Sequence, residues 1–461
     1  MKTIQIKSMV VILLCLVGIT SLSAQVYYVS PAGSSAWAEC HDILTPCSPV
    51  TAMESAVAGD TTYFRGGTYD LYYDETIPSS YYWYRGILNP SNSGTPGNPI
   101  VFMAYPNETP ILNGHTYSGA PDVARALGTG SGESYIIFDG FTIMANDGSK
   151  MGGVIVTGRG GAGRAVGNVV RNMVFNGGST IITSTDNREG IRIERTTNTL
   201  IQNVLMYSFR QVDNWHNTSA IKTYDNDQLI IENVEIYNSS AAIYLKRDTD
   251  NSIIRNNYLH DNYISLISQV YLEQNSDNNK IYNNVIVNSE YQAFMVLQSE
   301  NATADGWDVY NNTIYNAKVG IGAARGNWKI WNNIVIIPSG GYWDVAFWRH
   351  EDNLLLESDH NQFGERINIL NHVYTPEQVA YTTLADWQAS GELEGGVNPG
   401  FNSLSSDPEF INASGTLSEL DDFRLAVSSP SKGTGRNGVD MGAFIDDVGV
   451  NTGTIFMDGF E

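Results

Sequence analysis

The sequence predicts an all-β protein whose strands coil into a parallel β-helix, a solenoid in which each turn of the chain stacks on the turn before it. Two observations carry this prediction: an asparagine-bearing block that recurs seven times, and strands of alternating apolar and polar residues before most of these blocks. The composition agrees, because 461 residues with 44 Gly, 26 Tyr and only 16% charged residues are typical of a folded chain rich in turns.

The recurring block is eight residues long and has an asparagine at its third place. The blocks are VRNMVFNG (170–177), IQNVLMYS (201–208), IENVEIYN (231–238), IRNNYLHD (254–261), IYNNVIVN (281–288), VYNNTIYN (309–316) and IWNNIVII (330–337). No helix-length apolar period separates them, which excludes leucine-rich and tetratricopeptide repeats. Because equivalent residues of stacked strands lie about 4.7–4.9 Å apart, we expect the third-place asparagines to form a buried, hydrogen-bonded ladder at a turn. These are Asn172, Asn203, Asn233, Asn256, Asn283, Asn311 and Asn332.

A second strand precedes several of these blocks and alternates inward and outward side chains. These strands are GIRIER (190–195), AIKTYD (220–225), AIYLKR (242–247) and VYLEQ (270–274). The alternation predicts two adjacent outward columns, the first of Arg192, Lys222, Tyr244 and Tyr271 and the second of Glu194, Tyr224, Lys246 and Glu273. A one-residue slip in a rung would move every side chain of that strand to the opposite face.

The ends of the chain resemble a known group of proteins. The segments YYVSPAGS (27–34), GDTTYFRGGTYD (59–70) and GNPIVFMAYPNETPILNG (97–114) are similar to the start of secreted right-handed parallel β-helix proteins of the pectate-lyase-like superfamily. The segments SSDPEFI (405–411), DDFRLAVSSPSKGTG (421–435) and DMGAF (440–444) are similar to its closing rungs. EGIRI (189–193), AIKTY (220–224) and YLKR (244–247) resemble a succession of strands in alginate and chondroitin lyases on this fold. The resemblance implies a carbohydrate-active protein, most simply a polysaccharide lyase.

The outward columns carry residues suited to β-elimination of a uronate. That reaction needs cations around the carboxylate, a base for the neighbouring proton and an acid for the leaving oxygen. Lys222, Arg192, Lys246 and Arg247 form a basic strip on a chain of formal net charge −23, with Tyr224 or Tyr244 as acid and Glu194 and Tyr271 beside the substrate. The alternative interpretation is a solvated strand face with cross-rung ion pairs.

Further residues suggest binding of sugar or metal. Trp215 and His216 lie in a long excursion before the Lys222 strand, where they would either contact a sugar or anchor the loop. Asp227, Asp250 and Asp277 each lie six residues before a ladder asparagine, so their stacking predicts Ca²⁺, although Asp is also a common turn residue. Glycoside hydrolysis would instead need convergent carboxylates. A non-catalytic carbohydrate-binding protein or adhesin would need neither these carboxylates nor a catalytic base.

The chain is expected to be an exported monomer. Residues 1–24 have basic residues, an apolar core and small residues before a cleavage site, as in a secretory signal peptide, and no later apolar run is long enough to span a membrane. The acidic balance excludes nucleic acid as a partner and leaves an acidic polysaccharide, recognised through the local basic strip.

The remaining predictions concern the domain and its ends. One β-helix domain spans 25–445, and 446–461 form a tail that resembles an export or sorting tag. One short helix is predicted within 375–390 near the C-terminal rungs, with Thr375 as its N-cap and Pro376 at its first position. Cys40 and Cys47 are predicted to pair as a disulfide in an exported chain, with two free thiols as the alternative.

Overall fold

The computed structural model describes residues 25–450 apart from several segments. The segments outside the description are 73–83, 116–124, 131, 146–151, 160–162, 180, 182–187, 212–216, 271–274, 299–303, 324–325, 338–344, 350–353, 365–368, 372–378, 391–397, 413–416 and 418. The predicted signal peptide and residues 451–461 of the predicted tail therefore lie outside the described residues.

The described strands form three parallel faces that the chain visits in turn, which makes the fold a parallel β-helix. The first face contains Val26–Val29, Thr61–Phe64, Ile100–Ala104, Ile136–Asp139, Val169–Asn176, Leu200–Tyr207, Ile230–Tyr237, Ile253–Arg255, Lys280–Tyr282, Trp307–Tyr310, Gly326–Trp331, Leu354–Asp359 and Asn398–Pro399. The strands that start at 169, 200 and 230 bend and continue into the second face.

The second face adds short strands, and the third face carries the predicted outward columns. The second contains Gly67–Tyr72, Pro110–His115, Thr142–Ala145, Tyr258–His260, the first halves of Val285–Gln298 and Thr313–Ala323, and Ile334–Ile336. The third contains Gly86–Leu88, Arg125–Gly128, Gly152–Thr157, Arg188–Thr197, Thr218–Asp227, Ala241–Lys246, Ile264–Val270, the second halves of Val285–Gln298 and Thr313–Ala323, Val345–Arg349 and Ile369–Asn371. Ala165–Val166 and Thr249–Asp250 extend the turn after it, and Val379–Tyr381 adds one antiparallel pairing.

The core lies inside the coil and is built from columns of apolar side chains. Since alternate residues of a strand face opposite sides, in-register stacking places one inward residue of each rung above the next. One such column on the third face is fully or almost fully buried and consists of Ile191, Ile221, Ile243, Leu266, Phe294 and Ile321. Removal of these side chains from water stabilises the stacked rungs.

The continuous asparagine ladder lies one residue later than predicted. The predicted asparagines meet the expectation in part, because Asn203 and Asn283 are buried and donate to Asn172 and Asn256 of the preceding blocks. The seven third-place asparagines adopt φ between 51° and 58°, a left-handed conformation that Asn tolerates and that turns the chain from the first face to the second. The buried ladder is formed by the residues after them, from Asn257, Asn284, Asn312 and Asn333 to Asn361. Each ladder Nδ2 donates to the next Oδ1 at 2.9–3.0 Å.

A short helix that the sequence analysis missed closes the N-terminal end. It spans Pro49–Ser55, and the Ser48 side chain caps it by accepting the Thr51 N–H. Ser-Pro at its start was the available signal. Among the described residues, short helical turns also span Trp37–Glu39, Leu420–Phe423, Arg436–Gly438 and Ile445–Asp447.

The predicted disulfide is not found: Cys40 and Cys47 are buried free thiols. Cys40 Sγ donates to the Ala36 carbonyl at 3.3 Å, and Cys47 Sγ donates to the Tyr28 carbonyl at 3.5 Å. Burial and the Cys40 thiol raise the pKa of Cys47, which disfavours its reactive thiolate.

The predicted late helix begins at Leu384 and ends at Ser390. Thr383 caps it, since its Oγ1 accepts the Asp386 N–H at 3.0 Å, whereas the expected cap Thr375 lies outside the described residues. The strand Val379–Tyr381 occupies part of the predicted helix, so its start was wrong.

Residues 431–450, which we call the C-terminal strap, run back along the rungs. Gly442 N–H donates to the Asn332 carbonyl, Phe444 N–H to Asn283 Oδ1 and Gly449 N–H to the Asn256 carbonyl. The strap also packs Met441, Ile445 and Val448 on an outward apolar patch of the second face, so packing continues past residue 445. Within the described part of the chain, no helix has the length and apolar character needed to cross a membrane.

Candidate active site

The third face brings the predicted cationic and aromatic residues together. Arg192 pairs with Lys222, and Lys222 pairs with Tyr244 on the next rung; beside them Glu194 pairs with Tyr224. These registers agree with the first predicted column over three rungs and with the second over two. In the following rung Tyr244 pairs with Ile267 and Lys246 with Gln269, so the columns there do not continue into Tyr271 and Glu273 as predicted.

The columns continue differently because the strand after Tyr244 spans Ile264–Val270, which places Ile267 and Gln269 in the columns. Several candidates, Trp215, His216 and Tyr271, lie outside the described residues, and their assignment to substrate stays a prediction.

A buried carboxylate, Glu189, lies at the centre of the site. Its Oε2 accepts a hydrogen bond from Arg125 Nη2, while its Oε1 lies 3.2 Å from Arg192 Nη1 and 3.9 Å from Lys222 Nζ. Burial by itself would raise the pKa of Glu189, but the three cations lower it to about 2. Glu189 is therefore a fixed negative charge.

Lys222 is fully buried and is surrounded mainly by other cations and by rings. Its Nζ lies 5.3 Å from the ring centre of Tyr244 and 5.7 Å from that of Tyr224. Burial lowers the pKa of Lys222 to about 7; Lys246, Arg192 and Arg125 add to the decrease, and Glu189 opposes it. A lysine that is partly unprotonated near neutral pH can accept a proton.

The two tyrosines of the columns have different environments. Burial raises the pKa of Tyr224 to about 12, and the ring also lies 4.5 Å from the Arg192 guanidinium carbon. Tyr224 is half-buried and remains a proton carrier at any ordinary pH. Tyr244 is fully buried, and its hydroxyl donates to Gln269 Oε1.

Of the two cations beside the tyrosines, Lys246 belongs to the site. Its Nζ lies 5.8 Å from the ring centre of Tyr224 and 5.7 Å from that of Tyr244, and burial together with Arg247 lowers its pKa. Arg247 has a φ of 61° in the turn that ends the strand, and its N–H donates to the Gln269 carbonyl, so it lies beyond the columns.

Glu194 is an internal ion-pair partner, contrary to the prediction that it contacts substrate. Its side chain is 1% exposed and pairs with Arg159 and, at 2.9 Å, with Arg192. Arg159, which the sequence analysis missed, is 43% exposed and donates to Tyr84 Oη at 2.8 Å. Arg125 was missed too, because both arginines belong to rungs that precede the first asparagine block.

The predicted aspartates do stack on successive rungs, but their carboxylates do not converge as metal ligands among the described residues. Asp227 pairs with Asp250; Asp250 Oδ1 accepts the Asp277 N–H at 2.8 Å, and Asp277 Oδ1 accepts the Asp305 N–H at 2.9 Å. Burial and the neighbouring carboxylates raise the pKa of Asp250 to about 6. Among the described residues no group of three or more His, Cys, Asp or Glu converges as metal ligands, so Ca²⁺ stays a prediction that this donor set does not favour.

Comparison with known proteins agrees with this architecture. Residues 27–228 match a family model described as Pel9A-like, right-handed β-helix region. The chain is a right-handed parallel β-helix protein, and the part of it that spans residues 27–228 is similar to the Pel9A-like family. Its structure is similar to that of pectate lyase Pel9A, with a TM-score of 0.55 and 16% identity over 92% of this chain and 96% of that one.

A second similar structure is a rhamnogalacturonan lyase, with a TM-score of 0.50 and 14% identity over 87% of this chain and 95% of that one. A comparison with curated protein sequences finds no match. Identities this low establish the shared fold and leave the activity to be argued from the site.

Proposed function

We propose that this chain cleaves a uronate-containing polysaccharide by β-elimination, with Lys222 as the base. The observation that carries the proposal is a lysine with a lowered pKa among cations and tyrosines on three neighbouring rungs. The fold shared with a pectate lyase and a rhamnogalacturonan lyase supports a polysaccharide substrate.

The residues of the site match the three tasks of the reaction. The neutral Lys222 amine takes the C5 proton, the electron pair left behind forms the C4=C5 double bond, and the C4–O bond breaks. Tyr224 donates a proton to the leaving oxygen, since its pKa of about 12 keeps it protonated. Lys246 neutralises the uronate carboxylate better than Arg192, which already pairs with Glu189 and Glu194.

The burial of Lys222 adds a condition to this mechanism. Because the side chain is fully covered, a substrate reaches the amine only after a covering group moves aside. Binding at Lys246 and Tyr224, which are half-buried, would precede that opening. Lys222 in its closed state is shielded from water, which is also what lowers its pKa.

Hydrolysis fits the site less well than elimination. A glycoside hydrolase needs one carboxyl group that is protonated to serve as acid. Glu189 has a pKa of about 2 and is paired with Arg125, and Glu194 is paired with Arg159 and Arg192. Glu189 is therefore not suited to donate a proton near neutral pH, and both oxygens of Glu194 are occupied by ion pairs with arginines.

Incubation of the purified protein with pectate, rhamnogalacturonan, alginate and chondroitin, with Ca²⁺ or with EDTA, tests the proposal. We expect ultraviolet absorbance of an unsaturated uronate to rise with one of them, and Lys222→Met to abolish the rise. Lys280→Met, at an exposed lysine of the first face, is the matched control and should retain full activity. New reducing ends without a rise in absorbance would indicate hydrolysis. If none of the polymers gives a product, the proposal is overturned and the interpretation as a non-catalytic binding protein is favoured.

Two further proposals accompany this function. No step above uses Ca²⁺, so we expect activity in EDTA; activity restricted to the Ca²⁺ samples would support the predicted metal. Since polysaccharides of this kind are extracellular, we also propose that residues 1–24 direct export, which the length of the mature chain in a secretion assay tests.

A further inference from the structure

Arg125, a buried arginine three rungs before Lys222, contacts the same carboxylate as Lys222 does. The strand Arg125–Gly128 pairs with Gly152–Thr157, which pairs in turn with the Arg188–Thr197 strand that carries Glu189. Arg125 and Glu189 have side-chain exposures of 1% and 0%, so their ion pair is not screened by solvent.

A glycine opens the path that Arg125 takes. Gly152 lies directly opposite Arg125 in the intervening rung. A Cβ atom at Gly152 would lie 3.2 Å from Arg125 Cγ and 2.5 Å from the Glu189 carbonyl oxygen, closer than packed atoms tolerate. Glycine therefore lets the arginine side chain pass across one rung to Glu189 on the next.

The ion pair with Arg125 limits the hydrogen bonding and charge compensation that the Glu189 carboxylate can provide to Lys222. Arg125 takes Oε2, and Arg192 and Lys222 share Oε1, where the 3.9 Å separation from Lys222 Nζ exceeds a hydrogen bond. Among the described residues, the groups that face Lys222 also include Tyr224 on its own strand and Tyr244 and Lys246 on the next rung. One carboxylate thus serves three cations.

We propose that Arg125 is a positioning residue that holds Glu189 away from full pairing with Lys222 and thereby favours the unprotonated form of the Lys222 amine. A role of Arg125 in catalysis rests on the proposed function, whereas the effect of Arg125 on the protonation of Lys222 does not. Without Arg125, the charge of Glu189 would act on Arg192 and Lys222 alone, and the protonated amine would gain stability.

The pH dependence of unfolding tests this effect without any substrate. A lysine whose pKa is lower in the folded than in the unfolded state costs stability at low pH, and the cost is relieved as pH rises above the folded pKa, here about 7. Comparison of each protein with the same protein carrying Lys222→Met isolates this contribution. We expect Arg125→Met to move the onset of the rise upward by about one pH unit, the lower end of the range for a nearby charge.

Three further variants keep the test decisive if Arg125→Met folds poorly. Arg125→Lys retains the charge and should leave the onset near that of the unmodified protein. Glu189→Gln should move the onset downward. The upward shift caused by Arg125→Met should be smaller in the Glu189→Gln background than in the unmodified protein, because the part of the effect that Arg125 exerts through that carboxylate is then lost and only its direct repulsion of Lys222 remains. An unchanged onset in Arg125→Met, or in Glu189→Gln where Arg125→Met does not fold, would overturn the proposal.

Kinetics separate this proposal from the proposed function. If the enzyme is active, the ascending low-pH limb of the kcat/KM profile reports deprotonation of Lys222. In Arg125→Met this limb should move to higher pH while kcat at high pH is retained. Equal losses of activity at every pH would indicate a merely structural role. Absence of activity with an upward shift in the unfolding experiment would refute the proposed function and leave the role of Arg125 intact.

Discussion

The buried asparagine ladder should contribute strongly to stability, and Asn284 is the place to measure it. Asn284 Nδ2 donates to the Ile254 carbonyl at 3.0 Å and to Asn312 Oδ1 at 2.9 Å, while its Oδ1 accepts the Asn257 backbone N–H at 3.2 Å. Asn284→Ala removes both hydrogens of Nδ2, whose bonds are worth about 1 kcal/mol for each hydrogen. It also leaves the buried backbone N–H and Nδ2 of Asn257 without the acceptor Asn284 Oδ1, at a cost of about 1–3 kcal/mol. We expect a loss of about 3–5 kcal/mol in the free energy of unfolding.

Chemical denaturation measures this loss where the transition is single and its slope is unchanged. The matched control is Asn288→Gly, at a half-buried turn asparagine with φ of 52°, a conformation that glycine adopts easily. The control should lose less than about 1 kcal/mol, because its bonds are solvent-accessible. Hydrogen exchange should show lost protection around 254–257 and 281–284. Equal losses in the two variants would refute the assignment of stability to the buried ladder.

Two further outcomes test the turns and the cysteines. Because burial and like charges raise the folded pKa of Asp250 to about 6, its contribution to stability is present below the unfolded pKa of about 3.8 and is lost as pH rises to about 6. Asp250→Asn should therefore reduce the decline in the free energy of unfolding between these two pH values and stabilise the protein at pH 7. Destabilisation by Asp250→Asn only when Ca²⁺ is present would instead support the predicted Ca²⁺ site. Cys40 and Cys47 should resist thiol reagents in the native protein and both react after denaturation; no reaction after denaturation would contradict the free thiols.

The sequence located the catalytic candidates more accurately than it described their surroundings. The alternation in 190–195, 220–225 and 242–247 correctly predicted that Arg192, Lys222 and Tyr244 share one column. It failed one rung later, because a strand that starts at Ile264 cannot be told from one that starts at 270 by apolar content alone. The partners Arg125 and Arg159 come from rungs without the repeated block, so no local pattern linked them to Glu189 and Glu194.

The same division holds for the whole molecule. Period-2 alternation and a repeated turn are local properties, so the sequence by itself determined a coil of parallel strands with asparagines at its turns. Which asparagine is buried, how deep Lys222 lies and which cations share Glu189 depend on the stacking of residues far apart in the chain. Electrostatic interactions vary with distance and burial, and both are set only when the rungs stack. The tertiary structure alone therefore decided that Lys222 has a lowered pKa.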